Sequence, residues 1–136
     1  MRVFYLFNIN DEFKSLTLDN PYTLFKTFNE LYNFPRTDIL VAYELLTQII
    51  SPFNKNKINH QLFNINRNNN FYTKFNNIHI INNYYSDEST ELTIKKLYMK
   101  IKTTVDTPSF LKEVENKNIF VCDFQNKDYF WLENLI

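Results

Sequence analysis

Not one of the 136 residues is glycine, and that absence limits both the turns this backbone can make and the ligands it can wrap. Phosphate-cradling loops and dinucleotide fingerprints need glycine so that the chain can pass through positive φ and approach a pyrophosphate closely. P-loop and Rossmann sites are therefore excluded. Turns that would take glycine fall to asparagine and aspartate, the residues next most tolerant of the left-handed region, and asparagine occupies 21 positions. Part of that surplus has a plainer source: Asn, Lys, Ile, Phe, Tyr and Met make up about half the chain, the set favoured by AT-rich codons. Asn-rich and Lys-rich stretches are discounted accordingly.

The length fits one domain with a real core, built from bulky layers because the chain carries 14 Phe, 9 Tyr and one Trp. Net charge is zero, which argues against a dedicated nucleic-acid or membrane binder. Charge is uneven, however. Residues 45–86 hold no acid, and Lys55, Lys57, Arg67 and Lys74 lie there among Phe63, Phe71, Tyr72, Phe75, Tyr84 and Tyr85. Such a mixture could stack and neutralise a single nucleic-acid strand, the alternative function weighed against a solvated, codon-biased loop. Cys122 stands alone, so no internal disulfide can form and a reducing cytoplasm is the expected compartment. The N-terminus shows no charged n-region, long apolar run or cleavage site.

Residues 2–8 are apolar on both faces and predict a central strand covered on each side. The stretch NINDEFKSLTL breaks that pattern and reads as a turn in which Phe13, Leu16 and Leu18 have no evident core position. Exposed apolar groups between two elements can anchor a partner; packing beneath the turn is the competing reading for Phe13. Asn20 and Pro21 start a helix with Leu24, Phe25, Phe28, Leu31 and Tyr32 at helical spacing. Pro35 stops it. Thr37 caps a second helix carrying Ile39, Leu40, Tyr43, Leu46, Ile49 and Ile50, ended by Pro52. Residues 53–70 read as a polar loop with one short element and a turn at Asn68–Asn70, and residues 71–82 fit helix or strand. Residues 92–104 suggest two strands or one bulged strand, with a helix over 91–102 as the alternative. Thr107 and Pro108 introduce a short helix with Phe110, Leu111 and Val114, and residues 118–124 and 129–133 form a hairpin across QNKD. Together these predict an α+β domain over residues 1–136, its mixed central sheet covered by two helices from residues 21–50, with Trp131, Phe25 and Phe28 in the core.

No catalytic or metal signature emerges. His60 and His79 lie far apart with no carboxylate or thiol at ligand spacing and are expected at the surface or half-buried. Cys122 sits mid-run in FVCDF, where a thiol fills core space. Neither an enzyme nor a cofactor is expected.

Read together, RVFYLFNINDEFKSLTLDNPYTLFKTF, LLTQIISPFNKNKINHQL and IFVCDFQNKDYFWLENL resemble the SirA family, sporulation inhibitors of replication. The matching pieces are the aromatic first strand, the turn Asp11-Glu12-Phe13, the pair Phe25 and Phe28, and, most specifically, the closing D-F-x-x-K-x-Y-x-W-L pattern from Asp123 to Leu132. The resemblance implies a small, non-catalytic α/β protein that binds the N-terminal domain of the replication initiator DnaA and blocks initiation by contact. Carried over by position, Phe13 falls at the DnaA contact surface. Thr17 stands where the family has a contact tyrosine, and Leu45 where it has a contact glutamine. With the exposed-anchor reading this gives a partner-binding set of Glu12, Phe13, Leu16, Thr17 and Leu45, with no metal, cofactor or membrane partner.

Overall fold

The fold is a single antiparallel sheet with helices on both faces, seen in a computed structural model that describes residues 1–114 and 118–135, apart from the Arg36 side chain. The chain runs β1 (Arg2–Asn8), α1 (Asp11–Thr17), α2 (Pro21–Tyr32), a 3-10 turn at Arg36–Asp38, α3 (Ile39–Ile49), α4 (Lys55–Asn66), β2 (Tyr72–Phe75), β3 (Ile78–Asn83), β4 (Glu88–Ile94), β5 (Met99–Thr103), α5 (Phe110–Glu113), β6 (Ile119–Asp123) and β7 (Asp128–Trp131). The strand order is β2-β3-β4-β5-β1-β6-β7.

β1 sits inside the sheet with core on both faces, as its two-sided apolar run predicts. Phe4 and Leu6 join a cluster with Met99, Ile101, Val121, Leu62 of α4 and Phe110 of α5. Phe7 joins the opposite cluster with Phe120, Cys122, Trp131, Leu24, Phe25 and Phe28, and its ring stacks on that of Phe28 with centroids 4.1 Å apart. At one end of β1, Arg2 Nε donates to the buried Asp123 carboxylate at 3.0 Å and its other nitrogens meet Asp106 and Asp128. Burial pushes the Asp123 carboxyl up, but hydrogen bonds from Asn126 and Arg2 more than offset this and hold it below its ordinary value.

The α+β class, the helix starting at Pro21, the 118–133 hairpin and the core positions of Phe25, Phe28 and Trp131 stand as expected. Several expectations are corrected. The sheet is not mixed, because every pairing between its strands is antiparallel. The NINDEFKSLTL turn is helix α1, since the Asn10 side chain accepts from Phe13 N–H at 2.9 Å and so caps it, satisfying a donor that the first turn leaves free. The supposed loop at 53–70 holds the 12-residue α4, capped likewise by Asn54. Residues 71–82, which fit helix or strand, are a strand pair, and the two-strand reading of 92–104 stands, as β4 and β5 joined by a turn. His79 is fully buried; only His60 is exposed. The positive-φ turns fall on Asn76, Asp87 and Lys127, two of them the side chains a glycine-free chain is expected to use. The largest departure is α3. Of its apolar set only Ile49 is buried within the helix, while Ile39, Leu40, Val41 and Tyr43 stay half or more exposed.

Candidate functional site

Helix α1 follows β1 after a two-residue break, and the end of α3 holds it in place. Asn10 N–H donates to the Ile49 carbonyl at 3.0 Å, and its side-chain amide donates to the Gln48 carbonyl at 2.8 Å. One asparagine thus caps α1 and closes the free carbonyls at the end of α3, groups that a helix leaves without internal partners. On the far side, Lys14 Nζ lies 3.0 Å from Glu133 and 5.4 Å from the centre of the Trp131 ring. Asp11 in the first turn accepts from Asn118 at 2.8 Å.

With α1 fixed this way, Phe13, Leu16 and Thr17 share one face at i, i+3 and i+4. Phe13 is half-buried against the cluster that contains Trp131, so its ring packs on the core as the competing reading has it, and its remaining edge borders the surface. Leu16 is 74 % exposed, and Glu12 is exposed beside it. The Thr17 hydroxyl donates to the Phe13 carbonyl at 2.7 Å, so it is occupied locally. Leu45, 40 % exposed, lies on α3 one turn before the Asn10 junction. The structure therefore groups Glu12, Phe13, Leu16 and Thr17 on one short helix and sets Leu45 on the helix joined to it. Residue reading did not single out Val41, half exposed on the Leu45 flank of α3; the unbroken ILVAY run was the available signal.

The groups capable of bond-making lie elsewhere and are occupied. Cys122 is completely buried, and burial raises its thiol well above the ordinary value, the state of an inert core cysteine. His79 belongs to a closed chain of hydrogen bonds. Asn59 donates its amide to Asn77 at 2.7 Å, so its oxygen faces His79 Nε2 at 2.7 Å; Nδ1 then accepts from the Tyr72 hydroxyl at 2.7 Å. That assignment requires neutral imidazole. Among the described residues no three His, Cys, Asp or Glu side chains gather as a metal site, and no helix is long and apolar enough to cross a membrane.

A measurable consequence follows for His79. Burial, with Lys74 nearby, lowers its pKa to about 4, below the roughly 6.5 of an unfolded chain. The unfolded state then binds the proton more readily between those values, so this contribution is complete above about pH 6.5 and declines as pH falls towards 4. The loss should reach about 3 kcal/mol at one pKa unit per 1.36 kcal/mol. Urea unfolding at pH 7 and pH 4 should show it, and His79→Gln should flatten that difference; an unchanged pH slope in the variant would contradict the assignment.

These features define a class: an α+β protein, helices on both sheet faces, displaying an apolar surface on α1 and α3. The chain matches, over residues 2–135, the family described as Sporulation inhibitor of replication protein SirA, and it belongs to that family. The family description makes it an inhibitor of replication associated with sporulation. No curated protein matches the chain.

Proposed function

We propose that this protein is a non-catalytic, cytoplasmic regulator that binds the N-terminal domain of the replication initiator DnaA and inhibits initiation by covering that domain. The observation that carries the reading is the exposed face of α1, where Leu16 projects beside Phe13 on a helix that Asn10 joins to α3. A regulator that acts by contact needs a surface to present, and apolar side chains held at a helix face suit that role. Glu12, Phe13, Leu16, Thr17 and Leu45 are the contact set. Thr17 and Leu45 differ from the tyrosine and glutamine of the resemblance, and both substitutions make the surface less polar or smaller.

The test is calorimetric titration of the purified chain with the N-terminal domain of DnaA from its own host. A one-to-one complex with micromolar or tighter Kd is expected. A folded chain that gives no heat and no co-elution at high micromolar concentration would end this reading and move the single-strand alternative forward.

A further inference from the structure

Helix α3 carries a second apolar flank, distinct from the one that presents Leu45. At 100° per residue Ile39, Tyr43 and Leu46 fall within about 60° of one another, and Leu45 lies about 100° or more away from each. This flank forms one wall of a groove of about 350 Å³ between α2, α3 and the sheet, completed by Tyr32, Tyr98 and Phe124. That volume is at the small end of the roughly 300–1,000 Å³ typical of ligand pockets. Tyr5 lies on its floor; burial and a hydrogen bond with Tyr32 push its hydroxyl up to about 12, so the floor carries no charge.

Tyr98 also borders a trough lined by Lys95, Lys100, Lys102, Thr93 and Glu91. Lys100 and Lys102 alternate along β5 with buried Met99, Ile101 and Thr103, which places them on the opposite sheet face, the one that bears Tyr5. The register confirms it, pairing Tyr5 with Lys100, and Lys100 Nζ sits 5.6 Å from the Tyr5 ring centre. Among the described residues none of Lys95, Lys100 and Lys102 makes an ion pair. The apolar groove thus meets, at Tyr98, a trough with three lysines and one acid, Glu91, which stands across from Lys102 in the register, a net positive surface.

We propose that this groove and trough bind an acidic, amphipathic peptide segment, with large apolar side chains in the groove and the carboxylates that follow beside Lys95, Lys100 and Lys102. Two features select a peptide. Lys95, whose N–H donates to the Tyr98 carbonyl, lies level with Tyr98, so from Lys95 to Lys102 the cations spread over about 13 Å at about 3.3 Å per residue, a span that several carboxylates on a chain can use and a single lipid or small-molecule head group cannot. The groove is walled chiefly by hydrocarbon and ring faces, with tyrosine hydroxyls among them, so it suits a Leu or Phe side chain, which brings no polar edge to satisfy, better than a nucleobase. The site is separate from the α1 surface and does not depend on the DnaA reading.

The experiment is selection of a random 12-residue phage-displayed peptide library on the full chain, followed by fluorescence anisotropy with the synthetic winners. Enrichment of Leu, Ile, Met or Phe followed within a few positions by Asp or Glu is expected, with binding that weakens several-fold at 1 M salt as the screening length falls to about 3 Å. Ile39→Asp and the double change Lys100→Glu with Lys102→Glu should each weaken it at least tenfold. Ile39 is 64 % exposed and the lysines lie on the open face, so both variants should melt like the parent; the lysine pair serves alone if Ile39→Asp does not fold. Winners without acidic residues, or with binding that neither variant weakens, would overturn the proposal. So would oligothymidylate that competes with the winners and binds more tightly than any of them.

Discussion

Phe28→Ala is expected to lower unfolding free energy by about 3–5 kcal/mol, the range for truncating a large buried aromatic. Phe28 is 1 % exposed and lies at the centre of the aromatic stack, face to face with Phe7 at 4.1 Å and 6.3 Å from Phe120. Three elements meet at this ring: α2 supplies it, β1 supplies Phe7 and β6 supplies Phe120. Removal therefore leaves a cavity flanked by rigid rings that cannot collapse into it, the condition under which the cavity contribution is largest. Loss of ring stacking adds about 0.5–1.5 kcal/mol beyond area, already within the upper part of that range. Since domains of this size are stabilised by only about 5–15 kcal/mol, the variant should unfold at markedly lower urea concentration, and a midpoint within error of the parent would show that the α2 face is not the core.

The same ring shows how far the sequence carries. Phe25 and Phe28 sat at helical spacing behind an Asn-Pro start, and β1 was apolar on both faces, so the central strand, the first packed helix and the terminal hairpin were all legible before any coordinates. Helix α1 was not, because seven residues with two large apolar groups give too short a period to separate from a turn; the deciding signal was Asn10 acting as a cap. Helix α4 was hidden for a related reason. Its inward stripe is narrow, with Leu62 and Asn66 its only buried residues, and the asparagines around it resemble loop composition. The spacing of His60 and His79 suggests surface or half-buried positions, yet His79 is buried on β3, where Tyr72 of the neighbouring β2 and, once α4 docks, Asn59 supply its hydrogen bonds. For the candidate surface, spacing could place Phe13 and Leu16 on one side of a helix but could not show whether anything covers them. The apolar set of α3 illustrates the limit: periodicity identified a helix, and the assumption that an apolar face is a core face then failed for Ile39, Leu40 and Tyr43. Burial depends on which elements lie opposite, and that is tertiary information.

The largest functional effect is expected at α1, where two variants separate contact from support. Phe13 packs against the core cluster as well as bordering the surface, so Phe13→Ala removes both stabilising contact and any partner contact, and a loss of DnaA binding in that variant alone would be ambiguous. Leu16 has no such double role. At 74 % exposed it contributes little to the fold, and Leu16→Asp should change stability by no more than about 0.5 kcal/mol, the usual limit for surface positions. At an apolar interface, by contrast, the new carboxylate must be desolvated without a partner. That penalty, with the lost side-chain contact, should weaken binding to the DnaA N-terminal domain by about 3 kcal/mol, near the hot-spot range, or roughly 100-fold at 1.4 kcal/mol per decade. Phe13→Ala should weaken binding to a similar degree and also lower the unfolding midpoint. Calorimetry on both variants, each checked by circular dichroism melting, distinguishes the outcomes: a folded Leu16→Asp chain that binds DnaA as tightly as the parent would remove α1 from the interface whatever Phe13→Ala does.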